Sequence, residues 1–190
     1  AQHYRLWIQR RPRPVIEDFE VRWYFGIAGI ATLIIAATLL LTTDIGLEPT
    51  FRAALFQVSA IMTTTGFMTA DFELWHPLAQ FILLALMFSG GSTGSTAGGL
   101  KTFRIVLLAH VVGREFKRMV ERRGIFAIRL GGRVIQDDTI HGLLNLVYLA
   151  FVVNFTACLL LTGLGIDVLT AITAVASCMF NVGPGLGAVG

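Results

Sequence analysis

Charge is what this sequence has least of. Only 14% of its 190 residues are charged, 55% are hydrophobic and the mean hydropathy is +0.72. Soluble domains carry about a quarter charged residues, and disordered chains are poor in aliphatic residues. Both classes are therefore excluded. Two cysteines are too few for a disulfide scaffold, and we predict that Cys158 and Cys178 are reduced packing residues.

Long stretches of the chain contain no charged residue at all. A membrane-spanning helix needs about 20 apolar residues to cross about 30 Å of hydrocarbon. Three runs are long enough: Trp23–Thr43, a segment that starts near Pro77, and about His141–Thr162. The first is too long for a signal peptide and lacks a small-residue cleavage pattern. The sequence therefore predicts an all-α, multi-pass integral membrane chain.

The basic residues indicate the orientation of these spans. All except Arg52 lie before the first span or between the second and the third, which is one side of the membrane. They are Arg5, Arg10, Arg11, Arg13, Arg22, Lys101, Arg104, Arg114, Lys117, Arg118, Arg122, Arg123, Arg129 and Arg133. The positive-inside bias assigns that side to the cytoplasm. Because topology explains the charge, the high pI does not indicate a nucleic-acid partner.

Two further apolar segments are too short to span. Thr50–Met62 would reach only about 20 Å as a helix, and the acidic residues Asp71 and Glu73 follow it. We predict a re-entrant helix, with Thr63–Ala70 as the strand-like return to the outer surface, because irregular backbone at membrane depth must be buried in protein or line a wet cavity. Asp167–Phe180 shows the same pattern.

The chain repeats this unit. A shift of 117 positions places Gly46 on Gly163, and five other identities fall in the same register. They are Leu47 with Leu164, Ala54 with Ala171, Val58 with Val175, Met62 with Met179, and Gly66 with Gly183. The repeated unit is therefore a span, a re-entrant helix, a loop and a second span.

The loop after each re-entrant helix has the composition of an ion filter. A re-entrant helix that descends from outside directs its C-terminal carbonyls, which carry partial negative charge, toward the membrane centre. Thr63–Phe67 then offers consecutive carbonyls and hydroxyls, and Asn181–Gly183 occupies the same register. These neutral oxygens suit a monovalent cation. The alternative is a polar bend that packs helices.

Three motifs carry a resemblance to a known family. Ser59–Phe67 containing TTTGF, Gly90–Arg104 (GGSTGSTAGGLKTFR) and Asn181–Gly187 (NVGPGLG) resemble the Trk/Ktr/HKT potassium transporters, most closely the bacterial TrkH type. That family has four helix–pore-helix–helix repeats around one pore. The resemblance implies an incomplete, potassium-channel-like set of repeats in this chain. It implies the end of the second repeat at 1–22, the third at 23–113, a cytoplasmic linker at 114–138 and part of the fourth at 139–190.

The resemblance also assigns residues and partners. It implies filter ligands for potassium, the transported ion, at Thr64, Thr65, Gly66, Asn181, Val182 and Gly183. It implies potassium uptake, with or without coupling to protons or sodium, in the bacterial inner membrane, and no enzyme activity. The expected partners are membrane lipid, a second copy of the chain in a homodimer, and a cytoplasmic nucleotide-binding regulatory subunit.

A glycine-rich segment at 89–99 interrupts the second span. Five glycines there each disfavour a helix by about 1 kcal/mol, and the segment lacks the Gly-Lys pair of a phosphate-binding loop. We predict a flexible gating loop under the filter; a tight helix crossing is the alternative. Its residues are Gly90, Gly91, Ser92, Thr93, Gly94, Ser95, Thr96, Gly98 and Gly99. Lys101 either adds positive potential near the pore or anchors the chain at the cytoplasmic surface.

Two rival functions stay open at this point. One is a membrane enzyme subunit that uses His110, His141 or Asp71, and the other is a purely structural helical subunit. No two histidines have the helical spacing of metal ligands, so no metal or haem site is predicted.

Overall fold

The computed structural model describes residues 18–43, 45–121, 127–131 and 133–189. Of the predicted end of the preceding repeat, positions 1–17 lie outside these residues. The elements in chain order are α1 (Phe19–Thr42), α2 (Leu47–Met62), a 3-10 turn (Phe72–Leu74), α3 (Pro77–Ser89), α4 (Thr102–Val120), β1 (Arg129–Leu130), β2 (Arg133–Val134), α5 (Asp137–Gly163) and α6 (Val168–Phe180). The all-α prediction is confirmed, with one short hairpin of β1 and β2 added to it.

Helices α1 and α5 are the long apolar helices of the chain. They contain 24 and 27 residues, and within the described ranges they alone are long and apolar enough to cross a membrane unbroken. The Asp18 carboxylate caps α1 by accepting a hydrogen bond from the Glu20 N–H at 2.9 Å. Helix α1 therefore begins before the repeat boundary predicted at position 23.

The uncharged run that starts at Pro77 does not form one helix. Helix α3 has 13 residues and ends at Gly90, whose φ of 62° is open to glycine at little cost. Helix α4 begins at Thr102 and continues to Val120, so it runs across the linker boundary predicted at 113/114, which stays a prediction. Gly113 costs that helix only about 1 kcal/mol, and the basic residues Lys117 and Arg118 favour its C-terminal turn.

The two short helices have the length of re-entrant segments. Helix α2, with 16 residues, is about 24 Å long, and α6, with 13 residues, is about 20 Å long. Helix α2 packs against α1 and α3, whereas α6 packs against α5 and α3. Helix α3 therefore lies where the two repeats meet.

One buried cluster joins both repeats. Ile35 from α1, Val58 from α2 and Leu83 from α3 are fully buried in it, and Phe180 and Val182 of the second repeat belong to the same cluster. A second cluster packs the hairpin residues Ile128 and Leu130 against α4 and α5. The first cluster fixes the ends of the two short helices relative to each other, which is where the candidate site lies.

Candidate functional site

The turns that follow α2 and α6 have the same backbone geometry. Thr64 and Asn181, which are 117 positions apart, both have a φ of 53°. The N–H of the next residue donates back to Ala60 in one turn and to Ser177 in the other, at 2.9 Å in both, and these acceptors are also in register. The internal repeat inferred from sequence is therefore present in the backbone.

This conformation is unusual for the residue at Thr64. The left-handed region at the end of a helix is normally occupied by glycine or asparagine, and a β-branched residue there is a genuine outlier. Such a residue costs about 1–3 kcal/mol and persists only when its surroundings hold it in place. Strain at this position marks the turn as a candidate functional element.

The two loops contact each other through backbone atoms. Gly66 has a φ of 75°, and a Cβ built there would overlap the Val182 carbonyl oxygen and lie 3.2 Å from Cδ of Pro184. Gly183 has a φ of 110°, and its Cβ would lie 3.6 Å from Cα of Gly66. Both glycines are thus required by conformation, and Gly66 by close approach as well.

Hydroxyl groups of α6 hold the second loop. The Gly183 N–H donates to Ser177 Oγ at 3.0 Å, and the Leu186 N–H donates to Thr173 Oγ1 at 3.0 Å. Thr170 Oγ1 accepts from the Ala188 N–H at 3.3 Å. We did not predict these three residues, although hydroxyl side chains spaced by three and four positions on an apolar helix were a readable signal.

The first loop is held differently. The hydroxyl groups of Thr63 and Thr65 lie 2.7 Å apart, and Thr63 also donates to the Ser59 carbonyl at 2.7 Å. The Gly66 N–H reaches the Ala60 carbonyl at 3.4 Å. Ala60 is in register with Ser177 of the second repeat, and alanine has no hydroxyl group. The hydrogen bond from the Gly183 N–H to Ser177 Oγ therefore has no equivalent in the first repeat.

The carbonyl groups of the predicted filter residues accept no hydrogen bond from the described residues. Within the described part of the chain, no donor bonds the carbonyl oxygens of the six predicted filter residues, which are Thr64, Thr65, Gly66, Asn181, Val182 and Gly183. Buried or membrane-embedded carbonyls nearly always find a partner. The Val182 side chain is buried in the shared core, so it anchors this backbone while the carbonyls remain available.

The glycine-rich segment packs directly against both turns. The Gly98 N–H donates to Thr64 Oγ1 at 3.0 Å, which explains in part how Thr64 is held in its strained conformation. A Cβ on Gly98 would overlap the carbonyl oxygen of Phe180, the last residue of α6. The ring of Phe180 lies 4.9 Å from that of Phe88 on α3. The segment therefore lies at the C-terminal ends of both short helices.

The base of this segment is closed by its own backbone. A Cβ on Gly99 would lie 2.9 Å from the Gly90 nitrogen, and one on Gly90 would overlap the Gly98 carbonyl oxygen. The Thr102 N–H bonds the Gly91 carbonyl at 3.0 Å. Residues between these ends form a protruding tip, whose members Thr93, Gly94, Ser95 and Thr96 are exposed.

Lys101 holds the tip. Its Nζ donates to the Ser95 carbonyl at 2.8 Å and to the Ala97 carbonyl at 2.7 Å. On the other side of the tip, the Thr93 N–H donates to the carboxylate of Glu20 in α1. Neither role predicted for Lys101 included these contacts, and Glu20 was not predicted at all, because its partner is distant in sequence.

The hydrogen bonds of Asp71 and His110, two of the rival enzymatic residues, join them only to neighbouring backbone groups among the described residues. The Asp71 carboxylate caps the 3-10 turn by accepting from the Glu73 N–H at 3.0 Å, and His110 Nδ1 lies 2.8 Å from the Val106 carbonyl. Over the described ranges, no group of three histidine, cysteine or acidic side chains is placed to hold a metal ion. Nothing in this geometry unites them in one site.

Comparisons with known proteins agree with this geometry. The chain resembles the crystal structure of the potassium transporter TrkH from Vibrio parahaemolyticus, with a TM-score of 0.87 and 34% identity over 94% of this chain and 38% of that one. The Trk system potassium uptake protein TrkH of Escherichia coli K12 is 33% identical over 98% of this chain and 39% of its own length. TrkG of the same strain is 30% identical over 99% of this chain and 40% of its own.

These relatives are much longer than the sequence in hand, which spans about two fifths of their length. The model of the family described as TrkH, cation transport protein, matches residues 15–189. That family consists of membrane transporters and not of enzymes, which removes the enzymatic alternative. The repeated short helices, the paired turns that follow them and this match together mean that the chain belongs to the TrkH family of cation transport proteins.

Proposed function

We propose that this chain supplies two adjacent filter segments to a potassium uptake protein. Potassium is the transported ion and passes the loops after α2 and α6 in single file. The ligands are the backbone carbonyls of Thr64, Thr65 and Gly66 in one segment and of Asn181, Val182 and Gly183 in the other. The observation that carries the proposal is that these six carbonyls accept no hydrogen bond within the described residues.

Electrostatics favours a monovalent ion at this position. Neither loop contains a carboxylate, and divalent ions prefer charged oxygen ligands. The C-terminal ends of α2 and α6 each carry about half a negative charge, and the two loops are in backbone contact. Two partial charges at one point attract a cation without holding it so strongly that conduction stops.

The glycine-rich segment is proposed as the gate. Its Gly98 is bonded to Thr64 and packed on Phe180, so an ion that leaves the filter meets this segment next. Opening requires the tip to move away, which breaks its bonds to Lys101 and Glu20. Lys101 therefore acts as a latch that favours the closed position.

We also propose the wider assembly that the family resemblance implies. Two further repeats complete the pore, two complete copies associate as a homodimer, and a nucleotide-binding subunit docks on the cytoplasmic side. The basic residues of α4 and of the segment after it face the cytoplasm of a bacterial inner membrane, as the positive-inside bias favours.

Replacement of Gly66 by alanine tests the filter. In the complete transporter we expect Gly66→Ala to lower potassium flux by roughly tenfold, since a left-handed conformation costs a non-glycine residue about 1–2 kcal/mol and the added Cβ overlaps the Val182 carbonyl. Potassium uptake and growth at low potassium are measured in an uptake-deficient strain. The control is Gly29→Ala in α1, where a Cβ meets nothing within 4 Å. If Gly66→Ala and Gly29→Ala had equal potassium flux at equal expression, Gly66 would have a purely structural role.

Replacement of Lys101 by glutamine tests the latch. Loss of two charge-assisted bonds, each worth about 1.5–3 kcal/mol, shifts the tip toward its displaced position, and we expect potassium flux to rise about tenfold. Arg104→Gln, on the first turn of the same helix, is the matched control because the Arg104 side chain is exposed. Lys101→Arg cannot separate a latch from simple repulsion of cations, because arginine keeps the positive charge and should keep the flux low in either case. The decisive variant is therefore Gly98→Ala, which should also open the gate because its Cβ would overlap the Phe180 carbonyl oxygen. A closed Gly98→Ala transporter would refute the latch.

Cysteine labelling tests the first short helix, α2, as a re-entrant segment. In a background of Cys158→Ser and Cys178→Ser, we expect Leu74→Cys to react with a membrane-impermeant maleimide from outside, because Leu74 follows the first filter loop and is 83% exposed. Met119→Cys near the end of α4 should react only after permeabilisation. If Leu74→Cys were labelled only from the cytoplasm, the chain after α2 would not return to the outer surface, and the proposed ion path would be refuted.

A further inference from the structure

A cavity of about 560 Å³ lies between α4 and the β-hairpin, away from the filter. It is lined by His110, Gly113, Arg114 and Lys117 of α4 and by Ile128 and Arg129 of the hairpin segment. Its lining contains three permanently cationic side chains and no acidic one. The proposed transport function uses none of these residues.

The walls of this cavity are fixed by packing. Ile128 and Leu130 are buried against Val106, Leu107 and Val111 of α4 in one hydrophobic cluster, and the hairpin closes by antiparallel pairing of β1 with β2. The Ile135 N–H also donates to the Ile128 carbonyl at 2.9 Å. The cavity is therefore preformed, as small-molecule sites usually are.

Two of its three cations are not neutralised. The guanidinium of Arg114 lies 3.2 Å from Glu115 and 3.2 Å from Asp137, so its charge is balanced. Lys117 and Arg129 form no ion pair with any described residue, and Glu121, one turn after Lys117, is not within ion-pair distance of it. Among the described residues, the cavity thus presents two positive charges without an ion-pair partner, beside the fixed Arg114 guanidinium.

The position of the cavity along α4 corresponds to a membrane surface. Thr102 at the start of α4 bonds the base of the gate segment, and Lys117 lies about 22 Å further along the helix axis. Half of the hydrocarbon layer is only about 15 Å thick. The rings of His110 and Phe19, the first residue of α1, are 6.4 Å apart, so the cavity lies level with the end of a spanning helix.

Apolar side chains continue from the same stretch of α4. Phe116, Met119 and Val120 are 62%, 68% and 88% exposed, and they alternate with basic residues. A helix with exposed apolar and basic side chains is typical of a segment at the lipid interface.

We infer that this cavity binds the phosphate of an anionic phospholipid headgroup. Lys117 and Arg129 contact the phosphate, and Arg114, held by Glu115 and Asp137, forms the polar wall behind it. Basic pockets beside membrane helices recognise anionic headgroups through this chemistry. The inference requires only that the chain lies in a membrane. A negative result for the filter or the gate would therefore not contradict it, and a negative result here would not contradict them.

Native mass spectrometry of the detergent-solubilised chain tests the site. The probes are phosphatidylglycerol, phosphatidylcholine and inorganic phosphate, and bound molecules are counted during each titration. We expect phosphatidylglycerol to bind at least tenfold more tightly than phosphatidylcholine. Inorganic phosphate that binds as tightly as phosphatidylglycerol would reassign the site to a free anion, and equal binding of the two lipids would overturn the proposal.

Variants locate the binding. Each basic residue near a membrane surface contributes about 1 kcal/mol toward anionic lipid, or roughly fivefold. The double variant Lys117→Gln with Arg129→Gln should therefore lose about 25-fold in affinity for phosphatidylglycerol. Arg118→Gln is the matched control, because Arg118 lies on the same turn but pairs with Glu115 outside the cavity lining. Circular dichroism establishes that each variant retains its helices, and a loss in Arg118→Gln as large as that in the single variant Lys117→Gln would show a diffuse surface effect instead.

Discussion

Every peptide group at membrane depth needs a partner, and this requirement governs the whole molecule. Long helices satisfy it internally, but α2 and α6 end before they can cross, and the backbone beyond them must be bonded in some other way. At the six predicted filter residues the N–H groups are satisfied, by helix carbonyls and, at Gly183, by a hydroxyl side chain, whereas their carbonyls accept no hydrogen bond from the described residues. A segment with satisfied donors and free acceptors suits a cation, as we propose for both loops.

The same constraint explains the glycine-rich segment. A helix that is broken at Gly90 leaves backbone N–H and carbonyl groups without helical partners. In this segment the Thr102 N–H bonds the Gly91 carbonyl, and Lys101 Nζ bonds the carbonyls of Ser95 and Ala97. These bonds are few and lie at its ends and tip, so the tip can move without unfolding either flanking helix. Well-held loops above a segment held by few bonds support the filter and the gate that we propose.

Sequence reasoning located the internal repeat and the two short helices because each depends on local composition and length. The repeat boundaries at positions 23 and 114 stay predictions, and helices α1 and α4 run across these two positions. Charge marks where a helix leaves the hydrocarbon, but a helix ends where its hydrogen-bond ladder ends, and α4 continues into a basic turn that its own dipole favours. Thr170, Thr173 and Ser177 were missed because their partners come later in the chain.

By itself, then, the sequence determined that this chain lies in a membrane, that it contains the same unit twice, and that each copy breaks at a threonine- or glycine-rich loop. These are properties of hydropathy, helix length and backbone propensity, which act within one segment. Only the tertiary structure decided that Gly98 packs between the two turns, that Lys101 bonds the tip, and that Lys117 and Arg129 share a cavity. Such contacts join residues far apart in the chain. The two loops come into contact because α3 packs against both short helices.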